Sequence, residues 1–408
     1  MKCIKKLHFT YLGIIILGII GVMYPKTLYA QNTIKPVKWK HLSSEQGDLP
    51  APNGGTQQTA SQVVDIDGNG VKDFVITERT QAPSIVWYRR TNKGWDKYII
   101  DNSQLPIEAG GAHYDIDGDG DQDLVFGADY SDNRMWWWEN PAPNFDPSQP
   151  WIRRLIKASG KTKHHDELFG DFDADGQTEL VFWNQGAKTL NIADIPKDPK
   201  HTGPWNYTPI YQWKNDREHE GLAAADVDGD SIIDIVGGGH WFKHFHDNQF
   251  IPIVLDPNYT FTRAAAGQFV EGGPSEVVFV PGDANGPIKF YQTKTVPTDP
   301  TTWNHKSLLD TAIVHGHSID VGDINQDGHL DIFNAEMYKP GHGNKATMRI
   351  FYGHGDGSFT IDTVHVGIGN HESKLADLDG DGDLDILDKP YTWDTPRVDI
   401  WLNEGVNP

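Results

Sequence analysis

Short apolar runs recur along this chain in pairs, and each pair flanks a nine-residue acidic loop bearing glycine. The loops begin at Asp65, Asp115, Asp171, Asp226, Asp323 and Asp377, with a worn copy at Gln268. In chain order the seven starts are 50, 56, 55, 42, 55 and 54 residues apart. Brief apolar runs on either side of a tight turn read as strands rather than helices. A period of roughly fifty residues suits one four-stranded propeller blade. Seven copies therefore predict an all-β fold, a seven-bladed β-propeller.

The last copy shows the order within a blade. Residues 371–377 make a first strand, 377–385 the loop, Ile386 and Leu387 open a second strand, and 398–403 make a third. A fourth strand with an aromatic-then-aliphatic stamp occurs at 95–100, 151–156, 205–211, 250–255, 303–309 and 359–366. The missing seventh stamp stands at 37–42, so this N-terminal segment is expected to pair with the last blade, close the ring and cover its free edge. Residues 31–408 then read as one propeller domain. First strands run towards the acidic loops and second strands return, so the starts of the first and the ends of the second share the opposite face. Blades differ most there, where a repeating scaffold places specificity.

The second loop offers carboxylates at positions 1, 3, 5 and 9 from Asp115, Asp117, Asp119 and Asp123, with Gly120 at the sharp turn. Oxygen donors at this spacing suit Ca²⁺. The pattern returns as Asp65, Asp67, Asn69 and Asp73; Asp171, Asp173, Asp175 and Glu179; Asp226, Asp228, Asp230 and Asp234; Asp323, Asn325, Asp327 and Asp331; and Asp377, Asp379, Asp381 and Asp385. Up to six structural Ca²⁺ ions are expected. Ser231 replaces the turn glycine in the fourth loop, which predicts strain. The fifth, Gln268 to Glu276, lacks most ligands and is expected to bind nothing.

Composition then narrows the setting. Lys2, Lys5 and Lys6 precede an apolar stretch at 11–23, and Leu28-Tyr29-Ala30 follows, which reads as a signal peptide over residues 1–30 and a secreted or periplasmic protein. The apolar stretch is too short to span a bilayer, and no membrane span is expected. Cys3, the sole cysteine, would leave with the signal. The formal charge of −22 argues against nucleic acid as a partner.

On the face away from the loops, His165, His317 and His371 stand six residues before their loop aspartates. His219 stands seven before, a slip that a bulge would absorb. Arg263 stands five before the worn loop, and His113, two before Asp115, is expected deeper in the channel. Returning strands contribute Arg79, Tyr130, His240, Trp241, Glu336, Tyr338, Lys389, Tyr391 and Trp393. Such a set could hold a divalent metal, Zn²⁺ or similar, through imidazoles, or abstract a proton and steady the resulting anion. The bland alternative is a water-filled channel lined by solvated histidines. Trp136, Trp137 and Trp138 should alternate across a third strand and pack between blades, leaving Trp241 and Trp393 as the sugar-stacking candidates.

The acidic-loop motifs resemble those of the FG-GAP/VCBS-repeat propellers over almost the whole chain after residue 30. The segments His164-His165-Asp166-Glu167, His219-Glu220-Gly221-Leu222, His315-Gly316-His317-Ser318, and His371-Glu372 with Lys389-Pro390-Tyr391 further resemble the propeller domain of aldos-2-ulose dehydratase-type sugar lyases. That resemblance implies metal-assisted removal of water from a sugar, with uronic-acid oligosaccharides such as those of ulvan as substrate class. The expected function is a carbohydrate lyase, specifically an oligosaccharide dehydratase that removes the C5 proton of a uronate and eliminates the C4 oxygen. His165, His317, His371 and His219 would act as ligands or acid/base groups, Arg263 or a metal as carboxylate neutraliser, Tyr338 and Tyr391 as proton donors, with Glu336 and Lys389 beside them. Arg79, His113, Tyr130, His240, Trp241 and Trp393 would bind substrate. The rival reading is a non-catalytic propeller presenting the same mouth to glycan or protein.

Overall fold

The chain is described here from a computed structural model over residues 36–337, 345–392 and 395–406. Seven four-stranded antiparallel sheets follow one another around a ring. Blade one, for example, is Ser61–Val64, Asp73–Thr77, Ile85–Thr91 and Gly94–Asp101. The last blade is completed from the other end of the chain. Val37–Ser43 pairs antiparallel with Asp399–Val406, matching Trp39 to Asn403 and Leu42 to Ile400. His41 stacks on Trp401 at 4.0 Å and meets Asp399 at 2.7 Å, fastening that closure. The expected signal segment lies outside the described residues, among which no helix is long and apolar enough to cross a membrane.

The core lies between blades rather than in one central mass. The second strands are wholly buried, and the third strand of blade two shows why its three tryptophans alternate. Trp136 and Trp138 pack with Val75 and Trp87 of blade one, whereas Trp137 packs with Leu180 and Phe182 of blade three. All three are buried, so the inter-blade expectation holds.

Each acidic loop is a self-organised turn. In all six intact copies the position-6 amide donates to the position-1 carboxylate, at 2.8 Å from Gly70 to Asp65 and 3.0 Å from Gly382 to Asp377. Ser231 makes the same bond at 2.9 Å but holds φ +70°, a left-handed conformation that costs a side-chain-bearing residue energy. The position-9 carboxylate has a separate task. Asp123, Asp234 and Asp385 each accept from the amide of position 2 at 2.8 to 3.0 Å. Glu276 of the worn loop keeps that task, accepting from Phe269 and Val270 at 2.9 and 3.0 Å. Positions 1, 3 and 5 have no comparable replacement there.

At least four loops bring three or more carboxylates close enough to share one cation, their donor atoms lying within 4.8 Å of one another. Asp115 Oδ1, Asp171 Oδ1, Asp228 Oδ1 and Asp379 Oδ1 are buried without a hydrogen-bond partner among the described residues. Buried, unpartnered carboxylate oxygens facing one another fit a hard divalent ion.

Candidate active site

The first strands of blades three, four, six and seven begin at the face opposite the loops. His165, His317 and His371 line a shared cavity of 190 Å³ there, with Arg79, Asp283 and Tyr391. His317 stacks on His371 at 5.0 Å, and His371 on Tyr391 at 4.6 Å. Asp283 accepts from His317 Nε2 at 2.7 Å, while His317 Nδ1 is buried without a partner among the described residues. Lys389 is fully buried, its Nζ 2.8 Å from Gln58 O and 3.4 Å from His371 Nδ1. Burial brings its pKa down to about 7. Burial and the Lys389 charge hold His371 uncharged. The Tyr391 hydroxyl bonds to Arg79, and burial keeps the phenol protonated, with its pKa pushed up to about 12.

Beneath this mouth an ionic belt crosses the axis. Arg263 bridges Asp166 and Glu372. His165 lies between Asp166, 2.9 Å from Nδ1, and Glu220, 3.1 Å from Nε2. Burial opposes charge on His165, but Glu220 and Asp166 overcome it and raise the pKa to about 10. Burial likewise pushes the carboxyls of Glu220 and Glu167 up to about 8. Burial would raise Asp166 too, yet Arg263 and His165 hold it well below the ordinary carboxylate range. The ionised partner of His165 is thus Asp166. Below the belt lies an axial cavity of 410 Å³ that includes His113. The deep position expected for His113 is observed, its Nδ1 bonded to Gln62 at 3.2 Å.

Backbone geometry explains how two residues in succession reach the axis. Asp166 and Glu372 hold φ values of +47° and +58°, and pairing slips between His165 and Glu167. A strict strand would send Asp166 away from the face that carries His165. The left-handed kink turns both inward, and strained residues of this kind collect at functional sites.

Several sequence expectations need correction. His219 does not join the other three histidines; it stacks on Trp213 at 4.2 Å and packs beside Tyr211 and His240. No bulge absorbs the slip. Glu220, the residue in true register six before Asp226, takes the axial place. Trp241 is completely buried with Ile253, Tyr259 and Phe279 between blades, so it offers no ring to a sugar. His240 is tied to Gly238 O at 2.7 Å and Tyr211 at 3.1 Å, outside the mouth lining. Glu336 accepts from Val314 N, Thr347 N and Arg349, a structural arrangement. Arg263 sits in the belt rather than at the cavity wall. Tyr130 lines the mouth and is 70% exposed. Tyr338 and Trp393 lie outside the described residues.

The residues missed were acidic: Asp166, Glu220, Glu372 and Asp283. A signal existed for three of them. Asp166, Glu220 and Glu372 each directly follow a histidine near a strand start, in blades three, four and seven.

Residues 115–182 and 323–387 match the FG-GAP-like repeat family, and no curated protein matches the chain. Among solved structures, BBS1N in complex with ARL6DN aligns with a TM-score of 0.52 at 10% identity, covering 90% of this chain and 97% of that one. That likeness is one of fold. A rhamnogalacturonan lyase of Bacillus licheniformis aligns more loosely, with a TM-score of 0.45 at 13% identity over 90% of this chain and 76% of the lyase. The intramolecular trans-sialidase of Ruminococcus gnavus gives 0.44 at 12% identity over 92% and 99%. Blade count and ring closure agree: the chain is a seven-bladed β-propeller, and residues 115–182 and 323–387 of it carry FG-GAP-like repeats.

Proposed function

We propose that the mouth is the active site of a carbohydrate lyase, an oligosaccharide dehydratase acting on a uronic acid, as in ulvan breakdown, and that the six intact loops hold Ca²⁺. One arrangement carries the enzymatic reading: a single cavity is lined by His165 between two carboxylates, His371 beside a buried lysine and Tyr391 on Arg79, and these surroundings favour a charged His165, an uncharged His371 and a protonated Tyr391. A binding surface needs no such matched acid and base.

In a uronate the C5 hydrogen lies α to the carboxylate. His371 takes that proton, and the C5–H electrons form the C4–C5 double bond as the C4–O bond breaks. Tyr391 donates its proton to the departing oxygen, which leaves as water, or as a glycan if C4 is substituted. Lys389 stands 3.4 Å from His371, placed to share the captured proton. Charge that builds on the substrate carboxylate during proton removal is met by Arg79 and the His165 imidazolium, fixed cations at a partly desolvated site. Asp283, His315 and His317 present donor atoms within 4.8 Å of one another, a nitrogen and oxygen set that fits Zn²⁺ or a similar ion. Bound there, the ion would supply a Lewis acid for the carboxylate.

Incubation with a panel of uronate oligosaccharides, followed by ultraviolet absorbance and mass spectrometry, tests the reading. The expected product is a 4,5-unsaturated sugar that has lost one water, with turnover reduced about 10²- to 10⁴-fold in His371→Ala. Binding of the panel without any product would leave a non-catalytic glycan receptor instead.

A further inference from the structure

The mouth is small. At 190 Å³ it falls below the roughly 300–1,000 Å³ of ordinary ligand pockets, space for one sugar ring rather than a chain. A second cavity of 500 Å³ adjoins it, and Glu218 and Phe261 line both. Its wall includes Asn285–Gly286, which pairs with Ile313–Val314 in a two-stranded sheet standing apart from the seven blades. This excursion leaves blade five, the blade whose acidic loop has lost its ligands. That sector therefore departs from the repeat on both faces.

The groove carries one anion and one cation, Glu218 and Arg217. Glu218 is paired with Lys163 at 2.5 Å. Its neighbour Arg217 is exposed and has no carboxylate partner among the described residues, its guanidinium donating to Pro257 O at 3.5 Å. An unpaired guanidinium at a cavity rim attracts an anion. Phe261, half-buried at the junction and 6.3 Å from the His317 ring, presents an aromatic surface where the two cavities meet.

We propose that this groove is a second sugar subsite, taking the glycosyl unit next to the reacting uronate, with its ring against Phe261 and its acidic substituent at Arg217. The proposal rests on the reading of the mouth as a uronate site. It makes the sector where blades four and five meet the determinant of chain length, so that the protein selects oligosaccharides over single sugars.

Calorimetric titration with a free uronic acid and an ulvan-derived disaccharide tests it, using a His371→Ala background to suppress turnover. The disaccharide is expected to bind about tenfold tighter than the single sugar. Adding Arg217→Ala should erase that gain and leave single-sugar affinity unchanged. Gly286→Leu provides a second, steric arm. A Cβ at Gly286 meets nothing nearer than Pro281 Cγ at 3.6 Å, so a side chain can start there without a clash, and leucine is expected to fill part of the groove. Equal affinity for the two sugars, or a gain that survives both substitutions, overturns the subsite. Binding of neither sugar overturns it together with the uronate reading. A disaccharide preference that depends on Arg217, in a parent chain that forms no product, keeps the subsite and removes only the lyase chemistry.

Discussion

The two faces of this propeller are built by opposite rules. On the loop face the same nine positions recur, and each turn closes through its own carboxylates and amides, so one blade predicts the next. On the mouth face the blades contribute unequally. Blades three, six and seven place a histidine at one register, with an acid beside it in three and seven, whereas blade four gives a glutamate and blade five an arginine. Repetition therefore supports the ring, while individuality builds a site on its axis. Substitutions on the first face should change stability and spare chemistry. The reverse does not hold completely, because the ionic belt is buried at the centre of the molecule.

The largest effect should come from a change that belongs to neither face. Deleting Val37–Ser43 strips the outer strand from the last blade and exposes the edge of Asp399–Val406. An open ring with an unpaired edge is expected to unfold or aggregate. A monomeric, equally stable truncation, measured by light scattering and thermal melting, would show that closure matters less than the pairing suggests.

Next is the belt. Arg263→Met leaves Asp166 and Glu372 buried without their shared cation, and removing one partner of a buried ion pair costs about 3–5 kcal/mol. The loss should appear in chemical denaturation whether or not Ca²⁺ is present. The belt should also respond to pH. His165 has a raised folded pKa of about 10, so its stabilisation is complete below its ordinary value of about 6.5 and fades as pH climbs through 10. Glu220, raised from 4.5 to about 8, adds an earlier decline of the same sign that is complete by about pH 8. Melting temperature should fall between about pH 6.5 and 10 in the parent and fall less steeply in His165→Gln. Parallel curves would mean that the histidine carries no charge in the fold.

The repeating face was legible in the sequence because its information is local. Acids, glycine and apolar flanks lie within a dozen residues of one another, and six copies set their own register. The seventh stamp at residues 37–42 could be placed by counting alone. The mouth was legible only in part. His165, His317 and His371 followed from strict register, but allowing a one-residue slip chose His219 over Glu220. Asp166 and Glu372 were hidden by the assumption that side chains alternate along a strand, which their left-handed backbone breaks. Asp283 lies beyond the end of its strand, Glu276–Pro281, where no repeat position predicts a function. Trp241 misled because a short blade-four hairpin moves the third strand forward, turning into the core a ring that counting placed at the rim.

The finest division lies within the loop face itself, between holding an ion and holding a hairpin. Asp379 and Glu276 separate these tasks. Asp379 Oδ1 is buried without a partner among the described residues, the condition of a metal ligand, whereas Glu276 accepts two backbone amides in a loop that has lost its other ligands. Asp379→Ala should therefore destabilise only when Ca²⁺ is present, by up to about 2.7 kcal/mol at one hundred times the dissociation constant, and the difference should vanish on chelation. Glu276→Ala should cost about 1–3 kcal/mol for amides left unsatisfied, equally with and without Ca²⁺. Paired denaturation curves in calcium and in chelator measure both. If Glu276→Ala becomes calcium-dependent, the worn loop still binds an ion, and the fifth blade is less altered on this face than its sequence implies. If Asp379→Ala is calcium-independent, the position-3 carboxylates serve the turn alone, and hairpin closure rather than metal ligation maintains the acidic repeat.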